Sequence, residues 1–137
     1  MKNKVELSFD SSNVECNFFL DDTDDILTVE VSGRCRTKSE GGIDIAKIIF
    51  YTSAYYIYFM PISIIFDLSN FEYTHSNSIG KLLYFQNTIN EKLENQVRTA
   101  YILSEKNEDG ILSFLQTQVL PKNYFFEYSK AIIFLKS

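Results

Sequence analysis

A chain of 137 residues with 45% hydrophobic and 15% aromatic side chains can bury one sizeable core, which excludes a disordered polypeptide. The formal net charge of −5 and a sequence pI near 4.8 exclude the basic surface that nucleic acid requires. One histidine, His75, and two separated cysteines, Cys16 and Cys35, cannot assemble a zinc site from this chain alone.

Residues Met1 to Asn13 read as a loose tail or, through Val5, Leu7 and Phe9, as an edge strand. The start has no apolar core of a signal peptide, so a reduced cytoplasmic setting is expected, with both thiols acting as small apolar side chains. Val14, Cys16, Phe18 and Leu20 alternate with Glu15, Asn17 and Asp21, the period of a half-buried strand. The acidic run Asp21 to Asp25 reads as a solvated turn, because it lacks the glycine and distal glutamate of a helix-loop-helix calcium loop. Leu27, Val29 and Val31 complete a hairpin, and Ser32 to Gly42 reads as a loop.

From Ile43 the period becomes helical, placing Ile45, Ile48, Ile49, Thr52, Tyr55, Tyr56 and Phe59 on one face until Pro61 stops the helix. Ile62 to Leu68 follows as a strand apolar on both faces, hence central in a covered sheet. Together these make the uncharged run Ile48 to Phe66, about long enough to cross a bilayer. Lys47 and Asp67 bound that run, Pro61 interrupts it, and its tyrosines sit in the middle rather than at the rims, so a buried helix and strand explain it better.

After the loop Ser69 to Ser78, the residues Ile79, Leu82, Leu83, Ile89 and Leu93 mark an amphipathic helix of about five turns. A strand Val97 to Leu103, a helix from Asn107 to Val119 and a strand Tyr124 to Tyr128 come next, and Ser129 is placed to cap a terminal helix Lys130 to Leu135. The order β-β-α-β-α-β-α-β-α specifies a single α/β domain. Its sheet is mixed and mostly parallel, with about four or five strands and about four helices.

The segment Asp67-Leu68-Ser69, continuing through Thr74-His75-Ser76-Asn77-Ser78 to Ile79-Gly80-Lys81-Leu82-Leu83, resembles the STAS family, the domains of sulfate transporters and anti-sigma-factor antagonists. Those domains carry a buried strand ending in Asp-Leu-Ser, a short loop to Asp-Ser-Ser-Gly-Leu-Gly, and a helix opening with two leucines. Val31-Ser32-Gly33-Arg34 is similar to the end of the family's second strand. Tyr124 to Ile132 is similar to its last strand and helix, so the resemblance spans residues 14–137.

The resemblance implies a non-enzymatic regulatory module without a cofactor, docking a protein such as an anti-sigma serine kinase or phosphatase. It places the phosphoacceptor at Ser76 and partner contacts at His75, Asn77, Ser78 and Lys81. His75 stands where the family has aspartate, Asn77 where it has serine and Ser78 where it has glycine. The expected geometry has Ser76 open to solvent at the positive tip of the long second helix, where a phosphate would repel a docking surface. The plainer role for Ser76 or Ser78 is a helix cap, and a lone loop histidine is most simply exposed.

Two other readings remain. A STAS-type accessory or ligand-binding subunit of a transport system would use Tyr51, Tyr55 and Tyr58 to line an apolar pocket, against the simpler expectation that they pack on the sheet with hydroxyls at the surface. An enzyme would have only Glu72 near His75 as a suggestive pair.

Overall fold

The computed structural model describes residues 1–137. Its order is β1 (Glu15–Asp21), β2 (Ile26–Arg34), α1 (Lys38–Phe59), β3 (Ser63–Glu72), α2 (Ile79–Leu83), α3 (Phe85–Leu93), β4 (Arg98–Ile102), α4 (Glu108–Leu115), β5 (Tyr124–Phe125) and α5 (Tyr128–Lys136). The five strands lie in sequence order, with β1 antiparallel to β2 and every later pair parallel. The mixed sheet and its position between helices are as the hydrophobic periods require.

Strand alternation sorts the core into two layers. Leu27, Val29, Val31, Ile64, Phe66, Leu68 and Tyr101 face a large cluster completed by Ile45, Ile48 and Tyr56 of α1, Ile79, Leu82 and Leu83 of α2, Phe85 of α3 and Ile111 of α4. Ile26, Ile65, Ala100 and Ile102 face the other way, against Ala131 and Leu135 of α5. Four helices thus cover one face and one helix covers the other. β3, apolar on both sides, is central as expected.

Several boundaries differ from expectation. α1 begins at Lys38, five residues before its apolar period starts at Ile43, and β2 runs to Arg34, so the anticipated loop shrinks to three residues. Tyr55 and Phe59 of α1 are exposed, whereas Asp44 is fully buried. The single long second helix is two, because Tyr84 leaves helical geometry at φ −105°, ψ 19°. α4 stops at Leu115, β5 is two residues long, and α5 starts at Tyr128 behind Glu127 rather than under a Ser129 cap. Residues 1–8 carry no regular structure and are all exposed.

Candidate functional site

The site lies where β3 outruns β4. β4 ends at Ile102, whereas β3 continues to Glu72, leaving its last carbonyls without a strand partner. Loop side chains satisfy them: Asn107 Nδ2 donates to the Leu68 and Phe71 carbonyls at 2.6 and 2.9 Å, and Ser104 Oγ donates to the Ser69 carbonyl at 2.7 Å. Asn107, 1% exposed, is a structural residue that the sequence reading passed over. The Asp-Leu-Ser segment also has a local task. The register against β2 shifts there, with Glu30 opposite Asp67 but Ser32 opposite Asn70. The Asp67 carboxylate accepts the backbone N–H and hydroxyl of Ser69 at 3.0 and 2.6 Å, bracing the extra residue.

Beyond β3 the chain is closed by a tyrosine clasp. Tyr73 OH donates to the Ser76 carbonyl at 2.8 Å and accepts the Ser76 N–H at 3.1 Å. The same carbonyl accepts the Ile79 N–H at 3.2 Å, which leads the chain into α2. Burial and the neighbouring Cys35 raise the Tyr73 phenol, burial being the larger effect and outweighing the hydrogen bond to Ser76 that lowers it, so the ring stays neutral and able to donate at physiological pH.

Ser76 itself is 3% exposed, and its Oγ has no hydrogen-bond partner. It faces the first turn of α1, where a Cβ on Gly41 would come within 2.7 Å of Ser76 Oγ and 2.2 Å of the Arg36 carbonyl. Gly110 of α4 closes the other side, since a Cβ there would meet the Thr74 carbonyl at 2.8 Å. Two glycines with no turn to make are therefore required for close approach. This corrects the expected geometry. The Ser76 hydroxyl is sealed under α1 rather than open, the helix after it is only five residues long, and neither the Ser76 nor the Ser78 side chain makes a cap hydrogen bond.

Around the sealed serine the other candidates form a ridge. His75, Asn77 and Lys81 are exposed, and Ser78 is half-buried, its Oγ within 3.2 Å of where a Cβ on Gly42 would stand. A shallow cavity of about 240 Å³ runs beside His75 and Asn77 toward Ser113, Phe114 and Gln116 of the α4 end. Glu72 is turned away, paired with Arg34 at 3.9 Å on the surface. Tyr51, Tyr55 and Tyr58 lie on the outer flank of α1 and line open grooves rather than an enclosed pocket. Tyr55 packs on the sheet through Phe18 of β1, as the simpler expectation has it, Tyr51 packs on Phe9 and Phe50, and Tyr58 is exposed, while Tyr56 is the tyrosine that α1 buries.

Below the site, Asp44 anchors α1. Its carboxylate is fully buried and accepts Ser12 Oγ at 2.6 Å, the Arg36 N–H at 2.8 Å, and Arg36 Nε and Nη2 at 3.1 and 2.9 Å. Burial opposes ionisation, but these hydrogen bonds and the guanidinium charge outweigh it and hold the carboxyl below the usual aspartate range. Nearby Cys35 is pushed up to about 12 by burial and then by the Asp44 charge, so it stays an inert thiol.

No protein-family model and no curated protein matches the sequence. The fold is similar to the crystal structure of an anti-sigma factor antagonist from Mycobacterium paratuberculosis, with a TM-score of 0.61 and 14% identity over 90% of this chain and 96% of that one. The chain is thus a single α/β domain of STAS-like fold. No helix is long and apolar enough to cross a membrane.

Proposed function

We propose that the chain is a non-enzymatic regulatory module that docks a protein partner through the ridge His75, Asn77, Ser78 and Lys81. One observation carries this reading. Three of these side chains are exposed, His75 and Asn77 on a loop held by the Tyr73 clasp and by close packing at Gly41 and Gly110, and Lys81 on α2 just after it, with Asn107 bracing the end of β3 before it. A polar ridge held this rigidly loses little entropy on binding. The STAS-like fold supports the choice of a protein partner, such as a serine kinase or phosphatase.

Phosphorylation of Ser76 belongs to this proposal as an event of an opened loop. In the closed loop Oγ has no room for three phosphate oxygens beneath α1, so a kinase must break the Tyr73 clasp first. The phosphate, carrying nearly two negative charges, would then keep the loop from closing and reshape the ridge. The alternative, an accessory subunit of a transport system, draws on the exposed aromatic flank of α1.

Affinity capture with cross-linking at Lys81 tests the reading. A single protein cross-linked to Lys81 in the wild type is expected, with the amount captured without cross-linker lost from Lys81→Glu and the Lys81 cross-link lost from His75→Ala. Capture that is indifferent to both substitutions, or a partner cross-linked only to α1, contradicts it.

A further inference from the structure

The outer edge of β1 is unguarded along its middle, its only charges being Glu15 and Asp21 at the two ends. β1 is the terminal strand of the sheet, pairs with β2 in unbroken register over seven residues, and carries neither proline nor lysine nor a bulge. Natural edge strands are commonly blunted by one of these, because a free row of N–H and C=O groups accepts another strand. Alongside runs a mixed groove of about 410 Å³ between β1 and the flank of α1, lined by the apolar Cys16, Phe18, Tyr51 and Tyr55 and by the polar Glu15, Asn17 and Lys47. Phe18 and Tyr55 stack in it with ring centroids 3.9 Å apart.

We propose that this groove is a strand-addition site whose occupant is the chain's own segment Lys2 to Ser8, which adds to β1 as a sixth, antiparallel strand. The segment emerges at the right place. Phe9 packs on Phe50 and Tyr51, at centroid distances of 5.5 and 6.0 Å, and the Ser12 N–H donates to the Phe9 carbonyl, reversing the chain just before β1. Lys2 to Ser8 is as long as β1, carries Val5 and Leu7 exposed at 88% and 62%, and none of its backbone groups is hydrogen-bonded to the sheet here.

Charge selects the register. Cys16, Phe18 and Leu20 share the face of β1 that packs toward α1, and Cys16 and Phe18 line the groove, so Asn3, Val5 and Leu7 must lie opposite them, because directly opposed residues share a face. Pairing Leu7 with Cys16 sets Val5 against Phe18, Lys2 against Asp21 and Ser8 against Glu15. Sliding two residues one way opposes Glu6 to Glu15, and two the other way opposes Asp10 to Glu15, and like charges directly opposite are destabilising. A symmetric pair of β1 edges from two copies opposes Glu15 to Asp21 twice in the fully overlapped register, and slid by two residues to avoid this it pairs fewer β1 residues. The chain's own basic-ended segment pairs all seven without an acid facing an acid, and tethering gives it a high effective concentration.

The test is a disulfide trap with hydrogen exchange. In Leu7→Cys the new thiol would lie opposite Cys16, within bridging reach, whereas in Ser8→Cys it points to the other face. Oxidation with diamide, which takes two electrons and two protons from the thiols, should give an intramolecular link between positions 7 and 16 and none from position 8. In the unmodified chain, amides of residues 2–8 should exchange at least about tenfold more slowly than in an unstructured peptide. A covalent dimer through the same positions would assign the groove to a second copy and overturn the proposal. Equal linking from positions 7 and 8, or unprotected amides, would overturn it as well.

Discussion

Ser76 shows how a side chain's neighbours change the meaning of its motif. The loop residues and their order were legible from the chain, but the hydroxyl's burial depends on Gly41, which arrives from another element altogether. A buried hydroxyl with no partner costs about 1–3 kcal/mol. Ser76→Ala is therefore expected to leave stability unchanged or raise it by about 1 kcal/mol in urea unfolding. A loss above about 1 kcal/mol would mean the hydroxyl has a partner. Asp44 behaves in the opposite sense. Its pKa in the folded chain lies below its unfolded value, so its stabilisation is present above about pH 4 and is lost as pH falls through the folded value. Asp44→Asn should cost about 2 kcal/mol or more at pH 7 and flatten the acid limb of stability measured between pH 5 and 2. An acid limb as steep as the wild type's would assign acid sensitivity to other groups.

Among the elements, β1 and β2 were readable from a period of two, and β3 from an apolar run on both faces of the kind a covered central strand carries. The start of α1 was not, because Lys38-Ser39-Glu40-Gly41-Gly42 has no apolar period and two residues of low helix propensity. Gly41 stands there for contact, not conformation. Gly41→Ala should destabilise by about 1–3 kcal/mol because its Cβ would meet the rigid Arg36 carbonyl. Gly42→Ala meets only the rotatable Ser78 Oγ at 3.2 Å, so it should gain up to about 1 kcal/mol from helix propensity. Equal effects in thermal unfolding of the two variants would show that α1 is not seated as described. The break between α2 and α3 was hidden for a different reason. The apolar spacing continues through Tyr84, and no glycine or proline marks the change.

At the scale of the whole molecule, four helices cover one face of the sheet, of which α1, α2 and α4 meet around the end of β3, while α5 alone covers the other. The fold class and the mixed, mostly parallel character of the sheet followed from alternation of strand and helix, whereas the order of all five strands across the sheet did not. The candidate site did not, because it is made where three segments distant in sequence close on one loop. The central claim is that closure. Thiol labelling tests it most directly, with Ser76→Cys and His75→Cys compared by peptide mapping after alkylation at pH 8. Burial holds the native thiols of Cys16 and Cys35 up at about 11 and 12, which slows both, and peptide mapping separates their background from positions 75 and 76. Position 75 should react like a free thiol. Position 76 should react at least about a thousandfold more slowly, and denaturant should abolish the difference. Equal labelling of the two positions in the folded protein would contradict a closed loop.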